Sequence, residues 1–215
     1  MPARMRLLLV AVVAVGALAA VPAASAAPGD LDPGFGSGGM ARILPSQEEN
    51  IVRAVAIQPD GKIVVAGAAK GAVNGDFLFA RYNSDGSPDL GFGGGDGFTI
   101  VPVGAEADRV EAAAIGGDGK IVATGEAKLP STDRAAGVAV VLANGTPDPG
   151  FAGGGIFTKQ LGLAEDSAKA IGVGDGGRLL PASEHGDSAS NHAPAVLRLD
   201  PSGALDPGFG SGVRC

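Results

Sequence analysis

Short apolar runs separated by turn residues carry most of the chain, and the runs are too brief and too rich in Val, Ile and Ala to read as helices. Residues 51–58 are interrupted by Pro59-Asp60-Gly61 and resume as Ile63-Val64-Val65-Ala66-Gly67. Two apolar runs joined through Asp-Gly predict a hairpin, because glycine supplies the positive φ of a tight turn. The run Ile63-Val64-Val65 does not alternate with polar residues, which predicts a strand buried on both faces. Residues 76–83, with Phe77-Leu78-Phe79-Ala80-Arg81-Tyr82, close on the turn Ser84-Asp85-Gly86. With residues 40–44 placed in front, one unit offers four strands.

The same order returns as residues 98–103, 110–115, 121–125 and 137–143, and again as 156–161, 168–173, 178–183 and 195–200. Sustained helical periodicity is absent, and 37 Gly with 15 Pro disfavour long helices. Pro181 falls inside the third run of the third unit, where it removes a ladder donor. That strand is therefore expected to be short, bent or at an edge.

Three markers keep one beat. Phe35, Phe92, Phe151 and Phe209 each sit in Asp-x-Gly-Phe-x-x-Gly, 57, 59 and 58 residues apart. Asp60-Gly61-Lys62 recurs as Asp118-Gly119-Lys120 and, weakened, as Asp175-Gly176-Gly177-Arg178, while Asp85-Gly86 recurs as Asn144-Gly145 and Ser202-Gly203. A fixed period of this size marks a repeat architecture whose units bury their faces on their neighbours. The units run over about residues 29–86, 87–145 and 146–203, with a partial fourth at 204–215. Four antiparallel strands per unit predict an all-β, β-propeller-like array of blades, open or incomplete because propellers use about four to eight. A β-solenoid repeats over roughly 20 to 30 residues, about half the observed period. Tandem sandwiches need about 100 residues each. The recurring Phe, set among glycines, is expected to anchor adjacent sheets, each contributing about 1.5–3 kcal/mol by burial; lining a ligand groove is the alternative.

The segments Leu31-Asp32-Pro33-Gly34-Phe35-Gly36, Ile57-Gln58-Pro59-Asp60-Gly61-Lys62-Ile63-Val64-Val65-Ala66-Gly67 and Phe79-Ala80-Arg81-Tyr82-Asn83-Ser84-Asp85-Gly86 resemble the delta-60 repeat family of exported and surface bacterial proteins. The resemblance covers residues 29 to the C-terminus. The second unit keeps Asp118-Gly119-Lys120-Ile121-Val122-Ala123-Thr124-Gly125 and the third has drifted. It implies a propeller-like β fold outside the cytoplasm and transfers no catalytic residue.

The N-terminus changes the picture of where the protein works. Arg4 and Arg6 precede a 14-residue apolar stretch, residues 7–20, and then a run of small residues. This reads as a secretory signal peptide over residues 1–26, cleaved after Ala24-Ser25-Ala26. An uncleaved anchor is the competing reading, but a span needs roughly 20 apolar residues. The repeat domain is then residues 27–215. Losing Arg4 and Arg6 leaves 14 basic against 23 acidic residues, with no cluster of Lys or Arg. That argues against phosphate-backbone binding, which needs a basic stripe, so nucleic acid is not an expected partner. After cleavage no membrane association is expected. Cys215 is the only cysteine, so packing must supply stability.

Candidate chemistry is thin. His185 and His192, with Glu184 and Asp187, offer zinc-type ligands without a paired-ligand motif, and a polar exposed loop is the competing reading. No Gly-x-Ser-x-Gly elbow or phosphate-binding loop occurs. Residues 83–89 and 93–97 bring together the carboxylates, amides and glycines that Ca²⁺ prefers, but these are also ordinary turn residues. Asn144-Gly145-Thr146 fits a glycosylation acceptor and equally a turn. The reading is therefore a secreted, non-enzymatic interaction or structural module with no catalytic, cofactor-binding or metal residue assigned. Its partner is an unidentified protein or polymer, or a second copy docked through the open blade faces. A propeller enzyme (hydrolase, lyase or oxidoreductase) with further blades and a calcium-stabilised surface protein are the alternatives.

Overall fold

The computed structural model describes residues 27–210, apart from 47, 71–74, 131–132, 163–165 and 189–190. The signal segment, Cys215 and the end of the partial fourth unit lie outside the described residues, as do the side chains of His185, Asp187 and His192.

Eleven strands are described, and all neighbouring pairs are antiparallel. The first sheet has the order β1 (Asn50–Ile57), β2 (Ile63–Lys70), β3 (Gly75–Tyr82) and β4 (Phe98–Val101). The second repeats it with β5 (Arg109–Ile115), β6 (Ile121–Lys128), β7 (Arg134–Val141) and β8 (Ile156–Lys159). The third contains β9 (Ser167–Val173), β10 (Leu179–Ser188) and β11 (Asn191–Val196). The sheets lie in tandem as an open array.

Two expectations need correction. Residues 40–44 form no strand and make only an isolated bridge, Gly36 to Met40. The fourth strand of the first sheet is instead β4, in register from Phe77 opposite Val101 to Ala80 opposite Phe98. Periodicity gives the length of a repeat but not the point at which one sheet is cut from the next; the turn over residues 83–97 folds β4 back onto β3. Pro181, likewise, does not shorten its strand or move it to an edge, because β10 is ten residues long and central. Proline is tolerated because only one bond is lost: Leu197 N–H still donates to the Pro181 carbonyl at 3.0 Å, and on either side Ala182 pairs with Val196 and Leu179 exchanges two bonds with Leu199.

The first strand of each sheet is innermost, since β5 packs against both β1 and β9, whereas β4 and β8 lie apart on the outside. Each inner strand carries a bulge at the same phase, at Arg53, Glu111 and Lys169. The facing glycines Gly67 and Gly125 make it possible, because a Cβ there would lie 1.8 Å from the Ile51 carbonyl oxygen or 1.9 Å from that of Arg109.

The core lies between sheets. Val64, Ala66, Phe77 and Phe79 of the first sheet meet Val110, Ile121, Ala123 and Val141 of the second. Alternate residues of the second sheet, Val122, Val138 and Val140, meet Leu179, Leu199, Ile171 and Val173 of the third. Strand period two thus sends consecutive apolar residues to opposite faces, which is why these runs do not alternate with polar residues.

Candidate functional site

The recurring markers meet one another across the sheet boundaries. Phe35 lies against Gly86, Phe92 against Gly145 and Phe151 against Gly203, so each Phe packs on the glycine turn of the following sheet. A Cβ on Gly145 would lie 2.8 Å from the Phe92 ring, and its φ of +86° is one that glycine adopts without cost. A backbone bond seals each joint: Gly36 N–H to Asp85 O at 2.7 Å, Gly93 N–H to Asn144 O at 2.9 Å and Ala152 N–H to Ser202 O at 2.7 Å. Phe92 and Phe151 are buried, and Phe35 and Phe209 are half-buried.

The aspartate of the Phe motif joins the other marker to this clamp. Its Oδ1 accepts the N–H two residues on, from Gly91 to Asp89 at 3.0 Å and from Gly150 to Asp148 at 2.9 Å. Asp89 Oδ2 receives Lys62 Nζ and Arg81 Nε, each at 2.7 Å. The Arg81 guanidinium also donates to Gln58 Oε1 at 3.3 Å and to the Ala143 carbonyl, and stacks 4.7 Å above the Phe92 ring. Burial pushes the Asp89 carboxyl up, but the hydrogen bonds from Lys62 and Gly91 and the Arg81 charge outweigh it and hold it below the usual carboxylate range. Arg198 repeats the arrangement, 2.8 Å from Asp206 and 4.6 Å above Phe209.

The joint between the second and third sheets differs. Lys120 Nζ lies 3.0 Å from Asp148 Oδ2 and 3.4 Å from Asp118 Oδ2. A cavity of 460 Å³ opens there, with Val122, Val140, Phe151 and Leu179 as floor, Asp148 in the wall, and exposed Asp118, Asp175 and Pro201 at the rim.

On the inner strands, Lys169 Nζ lies 3.4 Å from Glu111 Oε1, so two of the three bulge charges pair. Asp108 accepts N–H bonds from Val103 and Gly104 at 2.8 Å and from Lys128 at 3.0 Å. Burial nevertheless pushes its carboxyl up, and both burial and the Asp108 charge push up Asp76.

The residues considered for calcium are engaged in turns. Asp85 Oδ1 accepts Ser87 N–H at 2.9 Å and Ser87 Oγ–H at 2.6 Å, and Asp89 belongs to the clamp. Among the described residues, no group of three or more His, Cys, Asp or Glu is placed to hold a metal ion. Asn144 accepts from Thr146 N–H and Oγ–H at 3.1 and 2.8 Å, which is turn chemistry. No described helix is long and apolar enough to cross a membrane. Sequence reading overlooked the Arg81–Asp89–Lys62 cluster and the cavity. The signal was present in the column Arg81, Val140 and Arg198 of the superposed units.

Three segments, residues 58–92, 116–151 and 182–209, match the family model described as domain of unknown function (DUF5122) beta-propeller. Each ends on the clamp phenylalanine, and the first two begin at Gln58 and Gly116, the equivalent residues ahead of the hairpin turn. These segments are similar to β-propeller repeats. The blades of this propeller-type array are the three sheets described above, and the matched segments contain the residues that bind one blade to the next. No curated protein matches the chain.

Proposed function

We propose that the chain is a secreted, non-enzymatic repeat protein of the delta-60 type, whose β-propeller blades form a structural and interaction surface. The carrying observation is that the residues recurring with the repeat are spent on joining blades. Phe92 and Phe151 fill the turns at Gly145 and Gly203 of the next blade, and within each blade Asp89 and Asp148 tie the Phe motif to Lys62 and Lys120. The connections between the second and third strands differ in sequence from blade to blade at one position of the repeat, the pattern by which repeat proteins vary a binding face. The leader over residues 1–26 supports export.

A second copy is the partner that the open faces fit. Val52, Val55 and Ile57 of β1 are 58, 65 and 71% exposed, whereas their counterparts Val110, Ala113 and Ile115 are packed under the first blade. The surface type that covers those counterparts also recurs on the free side of the third blade, where Leu180 and Val196 occupy the positions of Val122 and Val138. Head-to-tail docking of two chains would therefore reuse an interface already built twice.

The decisive experiment assays purified protein on glycoside and lactone panels. Turnover abolished by Glu111→Gln would overturn the non-enzymatic reading, while absence of turnover together with protein in the medium beginning at Ala27 is the expected result.

A further inference from the structure

We propose that the cavity between the second and third blades is a binding site for a guanidinium group, borne by a small molecule or by an arginine side chain of a partner. The inference comes from comparing the two blade joints and goes beyond the scaffold reading.

Backbone hydrogen bonds set the correspondence between the joints. Arg81 N–H bonds Gly97 O as Val140 N–H bonds Gly155 O, and Asp89 N–H bonds Arg81 O as Asp148 N–H bonds Val140 O. Gln58 and Gly116 each donate to the Lys carbonyl after the hairpin turn, and Asn83 and Leu142 each open the turn that follows the third strand. Val140 therefore stands where Arg81 stands, and Gly116 where Gln58 stands. Ala143, whose carbonyl accepts from Arg81, corresponds to Pro201.

At the first joint the guanidinium occupies a complete socket of carboxylate, amide oxygen, backbone carbonyl and aromatic face. At the second joint the occupant and the Gln58 side chain are gone, but the residues that correspond to the carriers of the carboxylate, carbonyl and ring remain, Asp148, Pro201 and Phe151, and all three residues line the cavity. Asp148 is 5% exposed. Lys120 gives its Oδ2 a charge contact at 3.0 Å, yet among the described residues no hydrogen bond of normal geometry reaches that oxygen. Asp89 Oδ2, by contrast, receives two donors.

The chemistry selects the ligand class. Lys62 and Arg81 share Asp89 without conflict, so Lys120 leaves room for a second cation. The rim carboxylates Asp118 and Asp175 disfavour anions. Calcium or magnesium needs about six or more oxygens, which one carboxylate and scattered carbonyls do not supply. A planar cation that lies on an aromatic face and donates in plane to a carboxylate and a carbonyl describes guanidinium better than ammonium.

Amide NMR of the full chain titrated with agmatine, with urea as neutral isostere, tests the assignment. Saturable shifts at Asp148, Gly150 and Gly174 are expected with agmatine, with an affinity around the millimolar range for so few atoms, and no saturation with urea. Val140→Arg should fill the socket from within and abolish the shifts. Arg81→Ala should open the twin socket and add a second saturable set at Asp89 and Gly91. Saturation by agmatine alone assigns a small molecule, and equal or tighter binding of a blocked Gly-Arg-Gly peptide assigns a partner side chain. No saturable shift in the unmodified chain, identical shifts with urea, or unchanged binding by folded Val140→Arg would overturn the proposal.

Discussion

Single side chains decide how well each joint fits. Ala152 takes the place held by Gly36 and Gly93 in the other Phe motifs, and it does so at φ +47°, the left-handed region that costs a residue with a Cβ roughly 1 kcal/mol. Ala152→Gly should therefore raise stability by about 0.5–1 kcal/mol, less the entropy that glycine adds to the unfolded chain. Chemical denaturation of both proteins, compared at equal m-value, measures it. The mirror experiment is Gly145→Ala, which puts a methyl 2.8 Å from the Phe92 ring and should cost about 1–3 kcal/mol. The clamp carboxylates give the fold an acid limit. Asp89 and Asp148 titrate below the usual carboxylate range in the folded chain, so their contribution is complete above the unfolded value of about 4 and is lost as pH falls through the lower folded value. Asp76 and Asp108 are pushed up and act in the opposite sense, favouring the fold as they take up protons. Unfolding followed from pH 7 to 3 should show a fall in stability below about pH 4 that is reduced in Asp148→Asn.

Strands and turns are tuned as repeats rather than one by one. The bulge at Arg53, Glu111 and Lys169 keeps one phase in all three inner strands, and its partner is glycine in β2 and β6 but Ser183 in β10. That serine hydroxyl is buried without a hydrogen-bond partner among the described residues, as is Ser167 Oγ on the facing strand, so the drift of the third unit has a definite structural address. Gly125→Ala should cost about 1–3 kcal/mol, because the added methyl meets the Arg109 carbonyl and the bulge must open. Thermal denaturation monitored by circular dichroism reports it. A pair of charges is the second device at this level. Arg81 and Asp89 are 7% exposed each, and truncating Arg81 to Ala leaves the carboxylate with Lys62 alone, for an expected loss of about 3 kcal/mol. Added guanidinium should restore part of it, which a cavity caused by lost packing alone would not show.

The described residues form an open array, and among them nothing covers Val52, Val55 and Ile57 on the inner strand of the first blade. The paired substitution Val55→Lys and Ile57→Lys changes two exposed side chains and should leave folding intact. If head-to-tail docking uses this face, light scattering should report a dimer for the unmodified chain and a monomer for the variant. A monomeric unmodified chain at all concentrations would rule the association out. Much of this architecture was legible from residues 35, 92, 151 and 209 and from the Asp-Gly turns, because tight turns and buried aromatics constrain residue type at fixed spacing. The cut between blades was not legible, since the strand over residues 98–101 follows its sheet-mate β3 by a long turn and no local signal says which neighbour it pairs. Pro181 misled for a related reason: the local rule counts the one donor that proline lacks, whereas the bonds around it, Leu197 N–H to the Pro181 carbonyl and the Leu179–Leu199 pair, keep the strand central.

Local chemistry along the chain was enough to establish the repeat, its length, its all-β character and the residues that close its turns, because each of these depends on interactions between near neighbours. Tertiary structure alone decided which strand is innermost, which aspartate meets which lysine or arginine, and that replacing Arg81 by Val140 and Gln58 by Gly116 leaves a lined cavity. Those outcomes rest on contacts that no local rule specifies: Lys62 meets Asp89 across 27 positions by the folding of one sheet, and Arg81 meets the Ala143 carbonyl across 62 positions by the packing of one sheet on the next.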